Sequence, residues 1–242
     1  MKIDIDNLSY RYREACALDG ISLTVEPGCL VAVIGLNGAG KTTLLRCLST
    51  LIVPRQGTIL CDNRPLKRTD MALRQRIFFI PDVPELFPDR TVIQNIAVIA
   101  RIYDADTPEA PQRAIDILRE LDMLPYAYTP VAELSRGQHY KVALTAMILA
   151  DADLWLLDEP FASGMDPLGN AFLRRHIRNA TARGKTVLYT TQLPELAEQF
   201  SDRLAVLHEG KLRAFSAVAD IQARFSDSPT PLEAFFQSLR TP

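Results

Sequence analysis

Leu30-Val-Ala-Val-Ile34, followed by Gly35-Leu-Asn-Gly-Ala-Gly-Lys-Thr-Thr43, decides the architecture. The unbroken apolar run predicts a strand buried on both faces, as in parallel sheets covered by helices. The chain then enters a glycine-rich loop, and Lys41–Leu51 reads as a helix. The loop fits G-x-x-x-x-G-K-[ST], with Gly35, Gly40, Lys41 and Thr42 at the fixed positions. Glycine permits a tight turn that presents backbone N–H groups to an anion. The helix behind it aims unpaired donors at the same point. Lys41 adds a full charge suited to the β- and γ-phosphates of a nucleotide, and the Thr42 hydroxyl suits Mg2+. Gly35, Asn37, Gly38, Ala39, Gly40, Lys41, Thr42 and Thr43 are the expected nucleotide contacts.

A second stretch, Leu154-Trp-Leu-Leu-Asp158-Glu159, is an apolar strand ending in adjacent carboxylates. Alone, such a pair is usually a solvated turn. Downstream of a phosphate loop, Asp158 suits a water-mediated hold on Mg2+. Glu159 is then placed to orient or deprotonate an attacking water. Val187-Leu-Tyr-Thr-Thr-Gln192 is a third strand that ends in polar groups, which marks a sheet edge where a ligand sits.

Around these stretches the pattern alternates. Ile3 and Ile5, then Ile21, Leu23 and Val25, are spaced as half-buried antiparallel strands. Thr58–Cys61, Ile77–Ile80 and Leu204–Leu207 are further short strands, and Leu168–Ala182 and Pro194–Phe200 read as helices. Residues 83–150 read as a helical insert. There Ala114, Leu118 and Leu121 share one helix face, and Thr107-Pro108-Glu109 predicts a helix start. The fold class is therefore α/β: a P-loop NTPase core with a mostly parallel sheet, an antiparallel β subdomain and a helical subdomain.

The 27 Lys and Arg against 29 Asp and Glu leave a formal charge of −2 with no basic run, so nucleic acid is not an expected partner. The apolar runs are far shorter than the roughly 18–20 residues needed to span a bilayer. The first residues carry no signal-peptide pattern, which predicts a cytoplasmic chain. Cys16, Cys29, Cys47 and Cys61 lack C-x-x-C spacing and read as reduced core residues.

Leu134-Ser-Arg-Gly-Gln138 opens a helix running to Ala150. By itself it is a capping turn. Between the phosphate loop and Asp158-Glu159, it resembles the signature motif of ABC-type ATPases. The resemblance covers residues 1–215 and implies an ATPase domain there, with the helical subdomain at about 83–150 and a C-terminal helical tail at 216–242. It further implies ATP and Mg2+ as cofactors and a head-to-tail dimer. In that dimer each ATP lies between one phosphate loop and the other copy's Ser135, Gly137 and Gln138. Tyr12 falls where the family stacks an aromatic ring on adenine; packing within the β subdomain is the competing reading, and Tyr10 is a competitor. Ser163-Gly-Met-Asp166 resembles the loop linking the two active sites, with Asp166 its residue of interest.

Three positions depart from the family pattern. Arg136 replaces a glycine. Asp82 replaces the glutamine that touches Mg2+ and the attacking water. Gln192 replaces a histidine that contacts the γ-phosphate. Gln192 can donate through its amide but cannot carry a positive charge. Asp82 adds a charge that either strengthens the Mg2+ shell or repels the triphosphate, by roughly 3 kcal/mol at about 5 Å and an effective dielectric near 20. Asp82 and Gln192 are thus expected to tune hydrolysis by Glu159.

The implied activity is ATP binding and hydrolysis powering transport through separate multi-span permease subunits that dock near Val83–Ile96, where Leu86 and Phe87 are expected to be exposed. The chain would be peripheral on the inner face of the cell membrane, as a homodimer or beside another ATPase subunit. The tail Pro231-Leu-Glu-Ala-Phe-Phe236 resembles exporter subunits and tips the direction to export. A soluble ABC-type ATPase and a slow-turnover ATP-gated regulatory or assembly module are the alternatives.

Overall fold

The computed structural model describes residues 1–226, 228 and 231–238. Two sheets form among them. In the first, β1 (Ile3–Tyr12) pairs antiparallel with β2 (Ala15–Val25) and β4 (Gln56–Cys61), and β5 (Arg64–Pro65) lies at its edge. Alternation sets the register: Ile3 faces Val25, Ile5 faces Leu23 and Leu8 faces Ile21, all buried, while Ser22 and Thr24 are exposed.

The second sheet contains β3 (Leu30–Ile34), β6 (Ile77–Ile80), β7 (Leu154–Leu157), β8 (Thr186–Thr191), β9 (Arg203–His208) and β10 (Lys211–Ala217) in the order β10-β9-β3-β8-β7-β6. All neighbours are parallel except β10, which is antiparallel to β9. Alternate β3 residues feed two cores. Leu30, Ala32 and Ile34 pack with α5 (Arg136–Ala150), α6 (Pro167–Ala182) and α7 (Pro194–Phe200). Val31 and Val33 pack with α1 (Lys41–Leu48) and the antiparallel sheet. Both faces are covered, which is why β3, β7 and the Val187-Leu-Tyr189 run of β8 are apolar without alternation.

The segment between β4 and α5 adds α2 (Met71–Arg74), α3 (Val92–Ile102) and α4 (Ala110–Glu120). Ala114, Leu118 and Leu121 are buried in a separate core with Val92 and Ile96. α5 also contributes Val142 and Leu149 to that core, while Tyr140, Ala143 and Leu144 face the sheet. This helix therefore joins the helical subdomain to the core and has no exposed long face.

Some boundaries move. α1 stops at Leu48 because Thr50 is left-handed, φ 63°. α4 begins at Ala110; Thr107 first closes a turn, its carbonyl accepting the Ala110 N–H at 3.0 Å, since a following proline disfavours helix at Thr107. Residue 215, the expected domain boundary, falls inside β10. Beyond β10 come α8 (Val218–Arg224) and α9 (Pro231–Ser238), joined through Phe225 and Phe235 at 6.1 Å. Of the expected tail at 216–242, residues 227, 229, 230 and 239–242 lie outside the described residues, as do the side chains of Leu232, Glu233 and Phe236. Of the four cysteines expected in the core, Cys47 and Cys61 are buried and Cys29 half-buried, but Cys16 is exposed on the β2 edge of its sheet. Burial pushes the thiols of Cys29 and Cys61 up to about 11 and that of Cys47 up to about 12, so those three stay protonated. No helix among the described residues is long and apolar enough to cross a membrane.

Candidate functional site

Parallel strands bring their C-terminal ends to one edge, where ligands bind in open α/β sheets. β3 runs there into the phosphate loop, β7 into Asp158-Glu159 and β8 into Gln192. Register sets the neighbours: Ile34 pairs with Thr191, Leu157 with Tyr189, and Ile80 with Leu157.

The loop closes at Gly40, the N-cap of α1, at φ 104° and ψ 1°. A Cβ there would lie 2.5 Å from the Ala17 carbonyl oxygen, so both the torsion and the close approach require glycine. Ala39 and Thr43 are buried and anchor the turn, whereas Asn37 and Gly38 are exposed. The first N–H groups of α1 have no partner within the helix.

Lys41 is 6% exposed and lies under this loop. Its Nζ donates to the Gly35 carbonyl at 2.8 Å and the Leu36 carbonyl at 3.4 Å, and sits 3.4 Å from Glu159 Oε1. Glu159 Oε1 is buried without a hydrogen-bond donor among the described residues. Thr42 Oγ1 donates to Asp158 Oδ1 at 3.1 Å. Thr190, wholly buried on β8, donates to the same oxygen at 2.7 Å and accepts the Glu159 N–H, also at 2.7 Å. One hydroxyl thus fixes both acidic residues. Glu159 needs that support, because its backbone is left-handed at φ 47°. The hydroxyl and carboxylate sought for Mg2+, Thr42 and Asp158, are in direct contact, so the donor set fits a small hard cation.

Gln192 follows β8 on the exposed edge and makes no hydrogen bond among the described residues. Tyr12 ends β1 and is 41% exposed, its ring edge-on to that of Tyr10 at 4.9 Å. Its hydroxyl accepts from Arg46 of α1 at 3.5 Å. Tyr10 packs on the core, and Tyr12 is the more exposed of the two rings, beside the phosphate helix.

Ser135 caps α5 in a reciprocal box. Its Oγ accepts the Gln138 N–H at 3.3 Å, and Gln138 Oε1 accepts the Ser135 N–H at 2.8 Å. Gly137 packs against the next loop so closely that a Cβ would lie 2.3 Å from the Gly164 carbonyl oxygen. Asp166 caps α6, taking the Gly169 N–H at 2.7 Å on Oδ1 and the Lys141 Nζ at 2.7 Å on Oδ2. These donors hold its carboxyl below the usual range. Lys141 is buried and also donates to the Leu121 carbonyl at 2.9 Å.

Asp82 is turned towards the signature helix, where its carboxylate forms an ion pair with Arg136. Two of the departures from the family pattern are therefore partners. Val83 and Phe87 are exposed in the following loop, with Arg90 over the Phe87 ring at 5.5 Å. Leu86 is half-buried against the helical subdomain, contrary to the expected exposure, because the loop is folded over Asn95. The buried Asn95 amide receives the Phe87 N–H at 2.8 Å and donates to the carbonyls of Phe87, Arg90 and Thr91.

Motif reading missed Lys141 and Asn95, as well as the two hydrogen bonds made by the Thr190 hydroxyl. A lone lysine among the apolar residues of Tyr140–Ala150 was the signal for the first.

The profile of the ABC transporter family matches residues 18–162. The Nod factor export ATP-binding protein I of Paraburkholderia xenovorans is 34% identical over 86% of this chain and 68% of its own length. The SkfA peptide export ATP-binding protein SkfE of Bacillus subtilis is 33% identical over 87% of each chain. A solved ATP binding subunit of an ABC transporter superposes with a TM-score of 0.90 over 99% of both chains at 28% identity. ATP-binding subunits of this family dimerise and work with membrane permeases. With the phosphate loop, the strand-end carboxylates and the signature helix in place, this chain belongs to the ABC transporter family, as an ATP-binding and ATP-hydrolysing subunit.

Proposed function

We propose that this subunit drives export through separate permeases, as a head-to-tail dimer with two sandwiched ATP molecules. The carrying observation is the convergence of Lys41, Thr42, Asp158 and Glu159 on one sheet edge, with Thr190 locking the carboxylates. Export is favoured by the two relatives, each an export ATP-binding protein.

In this reading the loop N–H groups and Lys41 hold the β- and γ-phosphates. Tyr12 stacks on the base, and Thr42 and Asp158 would hold Mg2+. Bound Mg2+ would neutralise charge developing on the phosphates. Glu159 takes a proton from the attacking water. Gln192 donates its amide to the γ-phosphate. Ser135, Gly137 and Gln138 approach the ATP held by the other copy; Ser135 is already exposed at the N-terminus of α5, a position suited to an anion. Exposed Val83 and Phe87, on a loop preshaped by Asn95, receive the permease. That contact places the subunit at the inner membrane face.

The test is purification of the chain with its natural membrane neighbours, alongside light scattering of Glu159→Gln protein with and without MgATP. Co-purification of a multi-span protein and an ATP-dependent doubling of mass are expected. A nucleotide-indifferent monomer with no membrane partner would overturn the reading.

A further inference from the structure

Asp82 lies two residues past the end of β6. Ile80 of that strand pairs with Leu157, and its carbonyl accepts the Asp158 N–H at 2.9 Å. Asp82 therefore stands on the nucleotide edge of its own chain. Arg136 is the first residue of α5, on the end expected to face the partner copy's ATP. The two are joined by Arg136 Nη2 donating to Asp82 Oδ1, 54 positions apart in sequence.

A cation at a helix N-terminus opposes the helix dipole, so Arg136 alone is electrostatically misplaced. A carboxylate beside a triphosphate site is misplaced in the opposite sense. Each residue offsets the other. One turn further along α5, Tyr140 is wholly buried, with its hydroxyl unpartnered among the described residues. Burial, with the charges of Asp158 and Asp82, keeps that phenol protonated. Successive turns of α5 thus engage the sheet edge that carries the site.

We propose that Asp82 and Arg136 act as one positioning unit, a clasp that seats the signature helix on the nucleotide edge and neutralises, within the chain, a cation facing the partner's triphosphate. The consequence for turnover rests on the sandwich reading above; the clasp itself does not. The side chains are 45% and 50% exposed, so solvent screens the pair, and its effect lies in local position more than in global stability.

A corollary is that Asp82→Gln alone does not restore the family arrangement, because it strands Arg136. The experiment compares Asp82→Gln, Arg136→Gly and the double variant in the full chain. Without nucleotide, hydrogen exchange is read at the first-turn amides of α5. With MgATP, kcat and KM are read separately. Each single variant should speed exchange and lower kcat several-fold, with little change in KM. The double variant should recover both. Losses that multiply in the double variant would overturn the proposal.

The exchanged pair, Asp82→Arg with Arg136→Asp, separates the two roles. Protection of α5 should return while turnover stays low, since the pair then turns its negative end to the triphosphate. Unrestored protection would overturn the clasp. If no variant binds ATP or pairs, the sandwich reading fails, and the exchange data still decide the clasp.

Discussion

Lys41 Nζ lies 3.4 Å from Glu159 Oε1, so the cation meant for a triphosphate is already paired with the carboxylate meant to activate water. In the proposed site an incoming nucleotide would take over Lys41 and free Glu159. Glu159→Gln should therefore bind ATP at least as tightly as the wild type, since one buried anion is removed. It should hydrolyse roughly 10²–10⁴-fold more slowly, the usual contribution of a positioned base. Lys41→Ala should lose binding as well. Equilibrium binding of a fluorescent ATP analogue, with phosphate release, separates the two effects. Rapid turnover in Glu159→Gln would remove Glu159 from the reaction.

Thr190 is the hidden support of the site. In Thr190→Val the Glu159 N–H and Asp158 Oδ1 each lose a bond of 2.7 Å in a wholly buried position. An orphaned buried donor costs about 1–3 kcal/mol. Urea unfolding should show a loss of that order. Turnover should fall by roughly ten- to a hundredfold as the left-handed Glu159 turn relaxes. Thr190→Ser should recover most of both, because the hydroxyl is what matters.

Gly137 is explained by packing within one chain. Its missing Cβ leaves room for the Gly164 carbonyl, which a methyl group would meet at 2.3 Å. Gly137→Ala should therefore push the signature helix away from the Asp166 loop, costing about 1–3 kcal/mol. ATP-driven dimerisation should fail, while ATP binding to a single copy persists. Analytical ultracentrifugation with and without MgATP reads the first, and analogue titration the second.

The phosphate loop, β3, β6 and β7 were legible because chemistry or near-complete burial leaves one spacing open, and α7 because Pro194 marks its start and Leu196, Ala197 and Phe200 form one buried face. Asp158-Glu159 and Ser135-Arg-Gly-Gln138 were legible by order along the chain. The Asp82–Arg136 pair was not, since it joins residues 54 apart and no periodicity connects them. Arg136 and Asp82 each looked like an isolated substitution. Lys141 was missed for a similar reason: the backbone carbonyl and N-cap carboxylate that hold it come from other elements. β10 pairs antiparallel on an edge and is only partly buried, so its apolar pattern is weak.

His176 gives the fold a pH dependence. It lies against Phe172 at 4.2 Å, and burial, then the nearby Arg175 and Arg183 charges, hold its pKa below the ordinary 6.5, against the opposing pull of Glu120. The unfolded chain takes up a proton at about pH 6.5, where the folded chain does not. Stability therefore falls as pH drops from 6.5 towards the lower folded value. The lowered carboxyls of Asp4, Asp62 and Asp166 act only at or below the ordinary carboxylate range. Thermal midpoints at pH 7.5 and 5.5 should differ less in His176→Gln than in the wild type. An equal difference would remove His176 as the cause.

Lys141 joins three elements: the end of α4 through Leu121, its own helix α5, and the cap of α6 through Asp166. The two partners are unequally placed, since Lys141 is 6% exposed at its side chain and Asp166 51%. Water can replace the ammonium at Asp166, whereas little can replace the carboxylate at Lys141. Lys141→Met keeps the packed stem and leaves one buried carbonyl short of a donor, a cost of about 1–2 kcal/mol. Asp166→Ala removes the α6 cap, about 1 kcal/mol, and also strands a buried cation. Asp166→Ala should therefore be the more destabilising change, and adding Lys141→Met to it should recover part of the loss. Urea midpoints of the two single variants and the double give the order directly; a larger loss in Lys141→Met would show that the carbonyl, not the carboxylate, is what holds the lysine.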